Sequence, residues 1–243
     1  MQSPKGKQVA DIALSEADLA ALAALDTPTV CNALELVAPA RRGSYFTTRP
    51  LVCARPGLPP IVGYARTATI RAMQPADEDA AAQRRRRLAY YAHVAEEPGP
   101  RIVVIEDIDP QPGFGAFWGE VNSNIHKGLG CLGVITNGSI RDLPVCAEGF
   151  QMLAGVVGPS HAYVHLEAIG GPVTVAGMPV RPGDLIHADQ HGAVVIPHAV
   201  ARQVPEAAAR IARREAVIIA ASQRPDFSYD KLAAALREAD EIH

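Results

Sequence analysis

Residues 113–144 read GFGAFWGEVNSNIHKGLGCLGVITNGSIRDLP, and the placing of glycine and apolar residues there leaves the chain few ways to run. Gly113-Phe114-Gly115 is a loop in which glycine permits tight backbone paths and close approach to a ligand. From Phe117 the pattern is helical, with Trp118, Val121, Ile125 and Leu129 at i, i+3 and i+4 spacings. Gly128 and Gly130 stop that helix, and residues 132–136 are apolar and β-branched enough for a core strand. Asn137-Gly138 turns the chain at the strand's end.

The edges of this unit carry charge. Glu120 lies near the start of the helix, where unpaired backbone N–H groups favour an anion. Arg141 and Asp142 follow the C-terminal end of the strand, where α/β sheets usually place their chemistry. A cation for a carboxylate, an anion for a divalent metal and a helix N-terminus facing both would suit a small keto acid. The competing local reading is a surface turn with an ion pair of its own.

Twenty residues separate Glu120 from Arg141-Asp142, and with residues 134–138 (VITNG) this resembles the acidic-x20-Arg-Asp signature of the RraA-like family. Residues 27–34 (TPTVCNAL) are similar to the family's first helix, 63–69 (GYARTAT) to its first core strand, and 181–197 to its last hairpin. The family includes 4-hydroxy-4-methyl-2-oxoglutarate/4-carboxy-4-hydroxy-2-oxoadipate aldolases, oxaloacetate decarboxylases and non-enzymatic regulators of ribonuclease E. The resemblance implies an α/β fold, a layered α/β/β domain like the phosphohistidine swivelling domain. It also implies a homotrimer or homohexamer with sites between subunits.

By the same resemblance, Asp142 holds Mg²⁺ or Mn²⁺, and Arg141 binds the 2-keto acid and stabilises the enolate. The start of the helix (Gly119, Val121, Asn122) receives a substrate carboxylate, and Glu120 serves water orientation or proton transfer. A glutamate from a neighbouring subunit assists, and Glu215 matches it better than Glu206. The chain departs from the aldolases in two places. Their substrate-contacting asparagine has only Gln74 as a weak counterpart, and Asn137 stands where they usually carry Asp.

Length and composition suit one domain over residues 1–243, with N-terminal helices at 15–37 and C-terminal helices at 199–242 packing on the core or a neighbour. The 23 basic and 26 acidic residues give no global reason to expect nucleic acid or membrane as a partner. Four cysteines (Cys31, Cys53, Cys131, Cys146) lack CxxC spacing, so neither a zinc knuckle nor a disulfide framework is indicated. Residues 1–10 are polar, no run is long enough to span a bilayer, and a cytoplasmic protein is expected.

Along the chain, Ser15 opens a helix over 15–25, and Thr27 caps a second with Pro28 at its first position. Residues 39–60 are an irregular connection, and 61–72 alternate as a strand. A helix over 76–97 carries Arg84 to Arg87, read as a solvated face balanced by Asp77, Glu78 and Asp79. A buried strand over 100–108 delivers Glu106, Asp107 and Asp109, read as caps of the next loop sooner than metal ligands. Residues 143–150 read as a short helix, 153–157 as a strand, and His161, Tyr163 and His165 share one face by period two. His187, Asp189 and His191 resemble a metal constellation, although Asp189-Gln190-His191-Gly192 is also a natural tight turn. Two helices over 199–221 and 229–242 close the chain, and Glu215 has a local alternative as the partner of Arg210 or Arg214.

The function expected from all this is a metal-dependent lyase cleaving a 4-hydroxy-2-oxo diacid, decarboxylating oxaloacetate, or both. The alternatives are a ring-shaped regulator of a ribonuclease or other protein, a lyase or hydrolase on another small carboxylate, and, last, a nucleic-acid binder through Arg84 to Arg87.

Overall fold

The computed structural model describes residues 14–242. Two helices open it, α1 (Glu16–Ala23) and α2 (Thr27–Val37). Ser15 and Asp18 cap α1 reciprocally, as the sequence indicated. The cap of α2 is Asp26, not Thr27, because Asp26 accepts from the Thr29 N–H and leaves the Thr27 hydroxyl free for a long-range bond.

Strands β1 (Val52–Cys53) and β2 (Ile61–Arg71) follow, then α3 (Ala80–Val94) and β3 (Arg101–Asp107). Nine of the eleven β2 positions are buried, so the alternation expected there is absent: β2 runs through the middle of the sheet and is covered on both faces. Helix α3 begins at Ala80, later than expected, because the Asp79 side chain caps it by accepting from the Ala82 N–H. Of its four arginines, Arg86 bonds the Leu166 and Glu167 carbonyls and pairs with Glu78; the other three face solvent.

The central stretch forms β4 (Ala116–Trp118), α4 (Glu120–Gly128), β5 (Cys131–Thr136) and β6 (Ser139–Ile140). Phe117 and Trp118 therefore lie in a strand, not in the helix, which starts only at Glu120. Val121 is 70% exposed and is not part of a buried stripe; Ser123 and His126 are the buried positions of α4. Residues 143–150 form turns and no helix. They are pinned by the Val145 and Cys146 N–H groups donating to the Asp142 carbonyl, and by Arg55 donating to the Cys146 carbonyl.

The strand expected over 153–157 is two strands, β7 (Gln151–Ala154) and β8 (Val156–Val157), broken at Gly155, where a Cβ would lie 2.2 Å from the Asn137 carbonyl oxygen. His161 and Tyr163 lie in a turn before β9 (His165–Ile169), so the shared strand face does not form; Ala162 has φ 45° there. The chain closes with β10 (Val173–Val175), β11 (Met178–Val180), β12 (Leu185–Asp189), β13 (Gly192–Ile196), α5 (Val204–Ser222) and α6 (Tyr229–Asp240). A 3₁₀ turn at His198–Gln203 occupies the start of the helix expected from 199.

The main sheet runs β1-β7-β5-β3-β2-β12-β13, with β9 beside β2. Its centre, β7-β5-β3-β2, is parallel, and β1, β9, β12 and β13 pair antiparallel. Tyr90, Trp118 and Phe150 fill the core between this sheet and α3 and α4. Val173, Val175 and Met178 of the β10–β11 hairpin cover the opposite side. Leu22, Val30 and Val204 bury α1, α2 and α5 against β12 and β13. No single helix among the described residues is long and apolar enough to cross a membrane.

Candidate functional site

A second, three-stranded sheet builds the site. Strands β4 and β6 run parallel, with Ala116 opposite Ser139 and Trp118 opposite Ile140, and β8 adds to the far side of β6. Because the two strands point the same way, the residues that leave them emerge side by side. Gly119 and Glu120 leave β4 to begin α4, and Arg141 and Asp142 leave β6. The Arg141 N–H donates to the Trp118 carbonyl at 2.9 Å, which locks this register to its last residue.

The outcome is a compact triad. Asp142 Oδ2 lies 3.4 Å from the Arg141 Nε and 3.4 Å from the Glu120 backbone N–H. The Asp142 carboxylate thus faces the start of α4, where the next amides, Val121 and Asn122, have no intrahelical acceptor. Gly119 is buried beneath the pair; a Cβ there would stand 2.5 Å from Asp142 Oδ2 and 3.2 Å from Arg141 Cγ. Asp142 has φ 57°, the left-handed region that Asp tolerates better than most residues. Its own carbonyl, accepting two N–H groups, holds it there.

Arg141 and Asp142 are 35% and 37% exposed, so both combine a fixed base with an accessible head. Glu120 is exposed on the same rim, with Val121 and Val145 beside it at 70% and 55%.

Helix α4 is clamped from behind. His126 is fully buried, its Nδ1 2.6 Å from the Asn122 carbonyl and its Nε2 2.8 Å from the Tyr90 hydroxyl. Burial pushes its pKa down to about 4 although the Asn122 carbonyl works the other way, so the ring is neutral. Nδ1–H donates to that carbonyl and Nε2 accepts from Tyr90. The Asn122 side chain turns inward, donating to the Phe117 carbonyl and accepting from the Tyr91 hydroxyl. Only the backbone of Asn122 faces the site.

The other candidates lie away from the triad, and most of them hold structure. Glu215 is exposed on α5, a helix that packs on α1, α2 and α6. The local alternative, a pair with Arg210 or Arg214, does not form; Arg214 bonds Asp240 instead, at 2.8 Å. No contact among the described residues joins Glu215 or Glu206 to Arg141 or Asp142. Asp107 accepts the Gly113 and Asp109 N–H groups, Asp109 accepts those of Ala72 and Met73, and Glu106 accepts that of Thr174. Asp107 and Asp109 thus serve loop backbones, Asp109 pairing with Arg71 as well, and Glu106 holds strand β10.

His187 and Asp189 tie the N-terminal helices to β12. His187 contacts the Thr27 hydroxyl and the Leu22 and Leu25 carbonyls, and Asp189 accepts the Thr27 and His191 N–H groups. His161 and His165 turn to the local carbonyls of Ala162 and Tyr163. Asn137 bridges the ends of β5 and β3, accepting the Asp107 N–H and donating to the Asp107 carbonyl. An Asp at that position could not make the second bond, so the side-chain amide is put to structural use.

Sequence reading missed β4, β6 and the part Gly119 plays. The one available signal was the glycine directly before Glu120, at the junction of strand and helix.

Against known proteins, residues 19–195 match a family model described as RraA-like (Aldolase/RraA). A relative from Halalkalibacterium halodurans, named "Putative 4-hydroxy-4-methyl-2-oxoglutarate aldolase", is 33% identical over 84 residues. That match takes in 34% of this chain and spans 40% of the relative's length. Among solved structures, an uncharacterized protein from Pseudomonas syringae pv. tomato superposes with a TM-score of 0.67 at 21% identity, covering 95% of both chains. Streptomyces coelicolor RraAS2, described as an unusual member of the RNase ES inhibitor RraA protein family, gives 0.66 at 24% identity over 84% of this chain and 97% of its own. At these identities the structures establish a shared fold.

Proposed function

The chain belongs to the RraA-like family, and from that premise we propose that it is a divalent-metal-dependent carbon–carbon lyase. It would release pyruvate from a 4-hydroxy-2-oxo diacid by retro-aldol cleavage, from oxaloacetate by decarboxylation, or from both. The family takes in aldolases as well as inhibitors of a ribonuclease. The observation that carries the enzymatic reading is the place of Asp142 Oδ2, between the Arg141 guanidinium and the first amide of α4.

No group of three or more His, Cys, Asp or Glu among the described residues converges as a metal cage. The donor set at the site is one half-exposed carboxylate, with Oδ2 turned to the helix and Oδ1 left over. That suits Mg²⁺ or Mn²⁺, which keep most of their ligands as water and need only one or two carboxylates. It does not suit zinc, which takes three or four protein ligands. Asp142 would hold the ion, which when bound would draw charge from the substrate's keto and carboxylate oxygens.

In both reactions the breaking bond leaves its electrons as a pyruvate enolate, and the barrier is mainly the cost of that charge. Arg141 donates two N–H groups in a planar fork to the keto acid and stabilises the oxygen on which charge develops. The Val121 and Asn122 amides, aided by the helix dipole, receive a substrate carboxylate. Glu120, exposed on the rim, takes the proton that the substrate hydroxyl loses in the retro-aldol cleavage and returns it to the enolate carbon; in decarboxylation it passes that carbon a proton from water as CO2 leaves. Exposed Val121 and Val145 beside the triad support a neighbouring copy, in a homotrimer or homohexamer, covering the site and bringing Glu215 to it.

The test is pyruvate release from a panel of 4-hydroxy-2-oxo diacids and oxaloacetate, with Mg²⁺ and then with chelator. The Arg141→Ala variant serves as the control for oxaloacetate lost to free metal. Metal-dependent release that this variant lacks is expected. No release from any substrate with Mg²⁺ present would leave the regulator reading in its place.

A further inference from the structure

We propose that a second cavity, bounded by the turn at 39–45, the β10–β11 hairpin and the β11–β12 turn, binds a phosphorylated sugar, free or within a nucleotide. The cavity measures 820 Å³ and is lined by Arg41, Tyr45, Glu106, Arg181 and Asp184, with Pro172, Val173, Pro179 and Val180 as its apolar wall. Small-molecule sites commonly fall in the range of about 300–1,000 Å³. None of Glu120, Arg141 or Asp142 lines it, so the inference is independent of the lyase reading.

The cationic side of this cavity is built in advance. The Arg41 guanidinium lies 3.6 Å over the Tyr45 ring, a cation–π contact that fixes one face and leaves the edge N–H groups free. Tyr45 reaches that position at φ 67°, a backbone region that bulky residues seldom occupy, and the Val195 N–H donating to its carbonyl at 2.9 Å keeps it there. The Arg41 backbone is fixed as well, its N–H donating to the Ala38 carbonyl and its carbonyl accepting from Ser44. Burial is the main influence lowering the Arg41 pKa, so its head is partly stripped of water, yet a guanidinium remains charged.

Asp184 is near enough to favour the charged form of Arg41, but the acids nearby are engaged with backbone N–H groups and make no close ion pair with these cations. Asp184 Oδ2 accepts the Arg181 N–H at 2.8 Å and Glu106 Oε2 accepts the Thr174 N–H at 2.8 Å. Among the described residues neither Arg41 nor Arg181 has a carboxylate within ion-pair distance. Two guanidinium forks thus await an anion, while Asp184 and Glu106 each keep one oxygen to accept from a donor. A phosphate matches the forks, and sugar hydroxyls match carboxylate oxygens, as the acidic residue of dinucleotide sites shows. The proline and valine wall takes the carbon face of the ring.

Calorimetric titration of the full chain with ribose 5-phosphate, AMP and inorganic phosphate tests this. An Arg141→Ala background weakens anion binding at the start of α4, and the Arg41 and Arg181 variants made in it assign what remains. One-to-one binding of AMP or ribose 5-phosphate is expected, at least about tenfold tighter than inorganic phosphate. Arg41→Lys, which loses the planar fork, and Arg181→Ala, at an exposed position, should each weaken it about tenfold or more. AMP binding without ribose 5-phosphate binding identifies a nucleotide, and binding of both identifies the sugar phosphate. Failure of both esters to bind, binding indifferent to both substitutions, or inorganic phosphate binding as tightly as the esters would overturn the proposal.

Discussion

Gly119 and Asp142 contend for one space: a Cβ on the glycine would lie 2.5 Å from the carboxylate oxygen that faces α4. Gly119 has φ −166°, extended backbone open to any residue, so the demand for glycine is one of room and not of conformation. Gly119→Ala should therefore displace the Asp142 carboxylate and press, more mildly, on the Arg141 side chain 3.2 Å away. Because a flexible side chain can step aside, stability should fall by less than about 1 kcal/mol while pyruvate release falls about tenfold or more. Melting temperature and turnover measured together decide it; unaltered turnover removes Asp142 Oδ2 from the site.

Arg141 carries the transition-state role in the lyase reading. Arg141→Ala should lower turnover about a hundredfold or more. Arg141→Lys should not restore it, since an ammonium lacks the fork that grips two oxygens. A near-normal rate in either variant rules out the role.

Glu215 sits on α5 with no contact to the triad in its own chain. If a neighbouring copy brings it, two inactive variants can repair one another. Mixing Arg141→Ala with Glu215→Ala under conditions that exchange subunits should restore part of the activity, because some sites then combine an intact Arg141 with an intact Glu215. No recovery despite mixed oligomers, shown by native mass spectrometry, would exclude a shared site.

His126 makes stability depend on pH. Its folded pKa of about 4 lies below the ordinary 6.5, so the unfolded chain binds a proton first as pH falls. The contribution is complete above pH ~6.5 and is lost between ~6.5 and ~4, amounting to roughly 3 kcal/mol over the window. His187, lowered mainly by burial, acts in the same direction. Urea unfolding should show about 2 kcal/mol less stability at pH 5 than at pH 7.5, with His126→Gln removing much of the difference. A flat profile in the unmodified chain contradicts the neutral, buried ring.

Thr27 holds the N-terminal helices to the sheet through His187 Nδ1 at 3.1 Å and, by its backbone, through Asp189 Oδ2 at 2.9 Å. Thr27→Val keeps the shape but leaves His187 Nδ1 buried without its partner, at a cost of roughly 1–3 kcal/mol. The urea midpoint should shift accordingly with no change in slope. An unshifted midpoint would mean the hydroxyl bond adds nothing.

Much of the site could be read in one dimension. Glu120, Arg141 and Asp142 were legible as candidates because a charged pair after an apolar β-branched strand, and an acid near the start of a helix, are local patterns. The capping of α1, the apolar run of β3 and the backbone duties of Asp107 and Asp109 were legible for the same reason. Strands β4 and β6 were not, since elements of three and two residues are too short to show a period. Trp118 fits a helical spacing with Val121 and Ile125, yet it ends a strand, because Gly119 is the turn between the two. Residues 143–150 carry apolar side chains at helical intervals, but Asp142 in the left-handed region and Arg55 from a distant segment hold them as turns.

The sequence by itself settled which chemical groups this protein can bring to bear, and that an α/β core would carry them, since both follow from residue type and short-range periodicity. Tertiary structure alone decided that Glu120 and Asp142 meet. Their encounter depends on β4 and β6 lying parallel in register, a hydrogen-bonded pairing between segments twenty residues apart that no local pattern encodes. The same holds for Arg41 over Tyr45, where a strained backbone is held by a bond from β13, over a hundred residues away.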